Sequence, residues 1–248
     1  VMTNKYKYFV ANWKMFGNIK TINSINNVVK LSKLRKFNKA RIIYCPPYTL
    51  IYKFIQKLKK TNIDVGAQNC HQSNLTGPFT GFVNSKMIKN LGCKYIILGH
   101  SENRNAGDTN YLINKKIKSS LLNNLNIFFC IGENISQKKK QKTKIILRSQ
   151  ILKGLKNIKN IKNIIIAYEP VWSIGTGFVP KKKELIKNVL FIKKILRENF
   201  NKNNIRVLYG GSVSSKNIRE LSQIQEIDGF LIGGASISSK KFIDIIKN

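Results

Sequence analysis

Apolar positions in this 248-residue chain follow two alternating rhythms. Short runs dense in Val, Ile, Phe and Tyr stand at residues 8–13, 41–45, 64–68, 95–99, 127–131, 164–168, 206–209 and 229–232, and each reads as a strand. Between them lie amphipathic stretches at 19–34, 50–59, 111–122, 144–155 and 184–200. In the last, Leu185, Val189, Ile192 and Leu196 recur at three- and four-residue spacing while lysines fill the opposite face. Asp108-Thr109 and Ser136 are the expected helix N-caps. Eight β-then-α units follow one another without a composition break or long linker. That pattern predicts an α/β fold, one (β/α)8 barrel of eight parallel strands inside a ring of helices, forming a single domain over residues 1–248.

A barrel of this kind gathers the carboxyl ends of its strands on one face, where active sites are built. The residues expected at those ends are Asn12 and Lys14, Gln68 and Asn69, His100 with Ser101, Glu133, Glu169, Gly210-Gly211-Ser212, and Gly233-Gly234. They are far apart in sequence, and the fold would bring them to one mouth. The densest signal is the segment 164–177, IIIAYEPVWSIGTG. An apolar strand ends there in a carboxylate, Glu169, followed by a glycine-rich loop, which is how a proton-abstracting base and its lid can be built.

Charge sharpens this picture. Acids number 11 against 45 Lys+Arg, and three of the eleven, Glu102, Glu133 and Glu169, lie just after apolar, strand-like runs. The net charge of +34 admits a nucleic-acid reading. The lysines, however, are spread along the whole chain on helix faces, with no basic tail, zinc finger or aromatic RNA-binding motif. The lysine runs 138–140 and 181–183 read as solvated helix starts or loops. No specific nucleic-acid partner is expected, only salt-sensitive adhesion to polyanions and a field that gathers anionic substrates.

Cys45, Cys70, Cys93 and Cys130 form no CxxC pair and have no metal-ligand spacing with the two histidines. They read as buried, reduced thiols in a reducing compartment, and no metal is expected. No apolar run approaches the about 20 residues of a membrane span. No signal peptide is expected either, because Tyr8-Phe9-Val10-Ala11 already reads as the first strand. These observations together point to a cytoplasmic protein.

Candidate chemistry follows from position. Asn12 and Lys14 alternate with Trp13, so strand geometry puts both on one side, an amide and a cation suited to an anion. His100 is one of only two histidines, and Glu102 follows two residues on. The other, His71, sits in a loop and reads as an ordinary polar residue. Double glycines after strands seven and eight, Gly210-Gly211 and Gly233-Gly234, bare backbone N–H groups where barrels bind phosphate.

With these residues in view, the chain resembles the triosephosphate isomerase family along essentially its whole length. The matching motifs are FVANWKM (9–15), AQN (67–69), GPFTG (77–81), ILGHSE (97–102), CIGE (130–133), AYEPVWSIGTG (167–177), LYGGSV (208–213) and DGFLIGGAS (228–236). The resemblance implies interconversion of dihydroxyacetone phosphate and D-glyceraldehyde 3-phosphate through an enediol(ate), with no cofactor. It makes Glu169 the base, His100 the electrophile, and Lys14 and Asn12 the rest of the electrostatic cradle; these roles are the family's own, carried over by motif. Gly175, Ser212, Gly233 and Gly234 would supply phosphate-binding N–H groups, with Ser101, Glu102, Cys130 and Tyr209 in support. Residues 170–177 would form a lid.

The resemblance also implies a homodimer in which the loop at 76–81, with Thr80, sits beside the partner's active site. Three positions depart from the family pattern. Phe82 replaces the usual acid after GPFTG, Asn103 replaces the first arginine after Ser-Glu, and Pro180 at the lid's far hinge has no N–H to offer Tyr209. Two other readings remain: another phosphosugar isomerase of the barrel class, which would keep the phosphate glycines but not the Lys14, His100 and Glu169 set, and a basic barrel recruited for binding.

Overall fold

A computed structural model describes residues 6–202 and 204–248. Eight strands form a closed, wholly parallel barrel in sequence order, β1 (Lys7–Asn12), β2 (Ala40–Cys45), β3 (Asp64–Ala67), β4 (Tyr95–Leu98), β5 (Asn126–Ile131), β6 (Ile164–Tyr168), β7 (Val207–Tyr209) and β8 (Gly229–Ile232), with β8 pairing back onto β1. Residues 1–5, ahead of β1, and residue 203 lie outside the described residues, and with them the region in which a leader was not expected. No helix among the described residues is long and apolar enough to cross a membrane.

Two buried layers explain why the strands are apolar throughout. The inner layer fills the barrel with Tyr8, Val10, Ile43, Cys45, Ile97, Phe128, Cys130, Ile165, Ala167, Leu208 and Leu231. Alternate residues, such as Phe9 and Ala11, face a larger outer layer packed against the helices. A strand buried on both faces has no polar side, so its run is continuous rather than alternating. The inner parity carries on past the strand ends: after Ile165 and Ala167 comes Glu169, and after Val10 comes Asn12.

Several expectations need correction. The stretch 19–34 is a 3-10 helix (Lys20–Ile25) running into an α-helix (Asn26–Ser32). Asn18 and Thr21 exchange side-chain and backbone hydrogen bonds at its start, offering the backbone a turn instead of an α-helical ladder. Thr109 is an N-cap, accepting from the Leu112 N–H, whereas Asp108 pairs with Lys116 at 2.7 Å. Ser136 caps nothing. The cap of helix Ile135–Lys139 is Asn134, in a reciprocal capping box with Gln137. Short helices at Ser85–Asn90, Ser101–Asn105, Ile218–Ser222 and Ser239–Lys247 were not anticipated; most span too few turns to display a period.

Candidate active site

Asn12, Lys14, His100, Glu169, Gly175, Ser212, Gly233 and Gly234 line one cavity of about 190 Å3 at the carboxyl ends of the strands. These eight residues were expected there from sequence. A second, more open hollow of about 520 Å3 adjoins it, sharing Asn12, Lys14 and His100, and is walled by Asn69, Glu102, Phe82 and Asn103 among others.

The turns that aim these side chains are not all strand geometry. Asn12 ends β1 facing inward, but Lys14 reaches the cavity through a left-handed backbone (φ 52°), with its N–H held by the Asn12 Oδ1 at 3.0 Å. The expectation that simple alternation puts both on one side is therefore corrected: a turn does it. A non-glycine residue in that region costs about 1–3 kcal/mol, a cost typically met where function needs the geometry. Gln68 steadies the turn, its Nε2 donating to the carbonyls of Lys14 and Cys45 at 2.8 Å each. Trp13, fully buried, donates from Nε1 to the Ser236 carbonyl and so ties this loop to the one after β8. The Lys14 ammonium lies 2.6 Å from Glu102 Oε1 at the rim.

Strand parity alone would turn His100 outward, into the helix layer. Gly99 breaks the parity with a φ of 75°, and any Cβ there would stand 3.0 Å from the Arg104 guanidinium and from the Cys130 carbonyl. His100 then becomes the N-cap of helix Ser101–Asn105, its Nδ1 accepting the Glu102 N–H at 3.2 Å. An accepting Nδ1 leaves the hydrogen of a neutral imidazole on Nε2, the nitrogen that faces Glu169.

Glu169 is 2% exposed. Its Oε2 accepts the Ser101 N–H at 3.3 Å. Its Oε1 stands 3.3 Å from His100 Nε2, yet takes no hydrogen bond from any described residue. Burial pushes the carboxyl above its ordinary range, while His100, the Ser101 N–H, the Cys130 thiol and Arg104 pull it back. A Cβ at Gly210 would come within 2.8 Å of the Glu169 Cγ, so only glycine leaves room for the carboxylate here. The result is a buried carboxylate with one oxygen unengaged, 3.3 Å from His100 Nε2 in the wall of a small cavity.

Not every strand-end residue points into the mouth. Glu133 is fully buried beside the 3-10 turn Val171–Ser173, accepting from Trp172 Nε1 at 2.9 Å and from the Tyr168 hydroxyl. It holds that turn and does not line the cavity. Burial raises its carboxyl, and the Trp172 hydrogen bond opposes that rise. Lys138, read as merely solvated, lies 3.6 Å from the Trp172 ring centroid and pairs with Glu184 at 2.8 Å. The spacing of neither residue signals this, because the contact depends on where Trp172 folds. His71 packs against Phe79 and Phe82, in keeping with its reading as an ordinary residue. All four cysteines are free and buried. No cluster of three or more His, Cys, Asp or Glu able to hold a metal occurs among the described residues.

Sequence reasoning missed one residue with wide reach. Ser173, fully buried, bonds the Phe178 carbonyl at 2.5 Å, the Tyr209 hydroxyl at 3.0 Å and the Ser212 N–H at 3.2 Å. A serine inside a matched motif gives no sign of this in a single sequence.

Comparison with known proteins agrees with the geometry. The family profile described as Triosephosphate isomerase matches residues 7–248. The triosephosphate isomerase of Dictyoglomus thermophilum is 40% identical over 98% of this chain and 99% of its own length. That of Thermodesulfovibrio yellowstonii is 37% identical over 97% and 98%. The crystal structure of triosephosphate isomerase from Bartonella henselae superposes with a TM-score of 0.87 at 31% identity, covering 96% of this chain and 97% of that one. A barrel closed in this order, with these loops at its mouth and this likeness from end to end, belongs to the triosephosphate isomerase family.

Proposed function

We propose that the protein interconverts dihydroxyacetone phosphate and D-glyceraldehyde 3-phosphate as a single-domain barrel over residues 1–248, without metal or organic cofactor. The observation that carries this reading is the unengaged Oε1 of buried Glu169, set against His100 Nε2 in a cavity also lined by Ser212, Gly233 and Gly234. Glu169 takes a proton from the carbon beside the carbonyl and returns it to the neighbouring carbon. His100 donates from Nε2 to the carbonyl oxygen, where charge grows as the enediolate forms. Lys14 and Asn12 complete the cradle, and the N–H groups of Gly175, Ser212, Gly233 and Gly234 hold the phosphate. Closing 170–177 over the site keeps water from an intermediate that would otherwise eliminate phosphate.

The direct test is a coupled assay of the purified protein with D-glyceraldehyde 3-phosphate. Turnover of the triose with none for larger aldose phosphates supports the reading; the opposite preference favours another phosphosugar isomerase.

Four buried thiols and the dispersed lysines support a cytoplasmic enzyme with no specific nucleic-acid partner and no membrane association. It works as a homodimer. Support comes from exposed apolar residues that line the larger hollow: Met15 is 94% exposed and Phe82 63%. Phe82 and Asn103 both wall that hollow and both lack charge, so replacing a family ion pair there strands no buried charge. Two subunits of +34 repel one another, and salt screens that repulsion. Sedimentation across a salt series should therefore show a dimer that tightens as salt rises. A monomer at micromolar concentration in moderate salt, or a dimer loosened by salt, contradicts this assembly.

A further inference from the structure

The structure assigns to Ser173 a role in setting how tightly the site takes phosphate: its hydroxyl competes with the substrate's phosphate for the Ser212 N–H. This rests on the phosphate reading of the cavity given above.

Hydrogen accounting makes the case. A serine hydroxyl has one hydrogen and two lone pairs. The Phe178 carbonyl can only accept, so the Ser173 hydrogen goes to it, at 2.5 Å. The remaining two partners must then donate to Ser173 Oγ, the Tyr209 hydroxyl at 3.0 Å and the Ser212 N–H at 3.2 Å. All of the hydroxyl's capacity is used, in a site with no solvent exposure.

These three partners join parts that must come apart. Ser173 lies in the near half of the lid and Phe178 in the far hinge just past it, while Tyr209 and Ser212 belong to β7 and the loop after it. Ser212 lines the 190 Å3 cavity, so its N–H reaches an anion there only by leaving Ser173. Pro180 explains why the anchor falls at this end. Having no N–H, it cannot donate to Tyr209 from the far hinge, and the Tyr209 hydroxyl is spent on Ser173 instead. Burial pushes that phenol up to about 12, with the Ser173 bond opposing, so it remains a donor at any working pH. The latch therefore holds the lid in its unliganded arrangement, and phosphate releases it by taking one of its three bonds.

The test compares Ser173→Ala with Tyr209→Phe, using inorganic phosphate as a competitive inhibitor. Alanine frees the Ser212 N–H, so the inhibition constant should fall about three- to tenfold, the worth of one ordinary hydrogen bond. KM for the triose phosphate should fall with it and kcat should not rise. Tyr209→Phe keeps the Ser173–Ser212 bond and removes a different one of the latch's three, so it should tighten phosphate distinctly less than the alanine variant does. Where the alanine variant does not fold, Ser173→Cys serves, because a thiol is a weak acceptor. Unchanged or weaker phosphate inhibition in a folded Ser173 variant overturns the assignment, and so does equal tightening in both variants, which would mean general loosening of the lid. A parent protein that phosphate does not inhibit overturns the phosphate reading itself.

Discussion

Glu169→Gln lowers kcat by about 10²–10⁴ or more, the scale of a lost general base, while the barrel stays folded. The amide keeps the shape of the side chain and its contact with Gly210, but cannot take a proton. Two secondary results follow from the same burial. The base must be ionised to act, and burial raises its pKa, so the acid limb of kcat/KM should lie above the ordinary carboxyl value of 4.5. For stability, a carboxyl whose folded pKa is raised favours the fold below its unfolded pKa and loses that contribution as pH rises through the folded pKa. At neutral pH the parent therefore carries a penalty that glutamine lacks, and the variant should melt no lower than the parent. A folded variant keeping more than about half the parent's activity would remove Glu169 as the base.

Lys14→Met lowers kcat/KM by about 10²–10³-fold, and the loss persists at high salt. A unit charge about 4 Å from an anion at an effective dielectric near 20 contributes roughly 4 kcal/mol, close to 10³-fold in rate. That local term is distinct from the diffuse field of +34, which salt screens over a Debye length of about 10 Å at 0.1 M. The structure adds a reason for specificity of place: Lys14 is aimed by a left-handed turn held by Asn12 and Gln68, which a lysine serving only the general field would not need. Kinetics across a salt series separates the two. If added salt erases the difference between variant and parent, Lys14 is part of the field and no more.

Much of the barrel was legible because its strands are buried on both faces. The runs at Ile164–Tyr168 and Gly229–Ile232 have the bounds expected from sequence, and the others differ by one residue at one end or both. β4 stops at Leu98 because Gly99 takes a positive φ, a choice that apolar content does not reveal. The segment 19–34 was periodic enough to read as one helix, and the side chains of Asn18 and Thr21 overrode the period locally.

The site was legible for a different reason. Its polar residues stand out against apolar strand ends, and their motifs resemble one family, so Asn12, Lys14, His100 and Glu169 could be gathered before any geometry was known. What sequence does not carry is direction. Glu133 looked like a mouth residue by position and instead holds Trp172. Lys138 looked like surface and lies over that same ring. Ser173 is one hydroxyl in a motif until folding brings Phe178, Tyr209 and Ser212 around it.

The central claim is that one carboxylate, Glu169, carries a proton between two adjacent carbons. Proton NMR of dihydroxyacetone phosphate turned over in deuterium oxide tests it most directly, because a proton held on a carboxylate can exchange with solvent before it is returned. The account predicts deuterium at C2 of the D-glyceraldehyde 3-phosphate formed by the parent protein, and loss of both isomerisation and exchange in Glu169→Gln. Rapid isomerisation with only protium at C2, or exchange that survives in the glutamine variant, would contradict it.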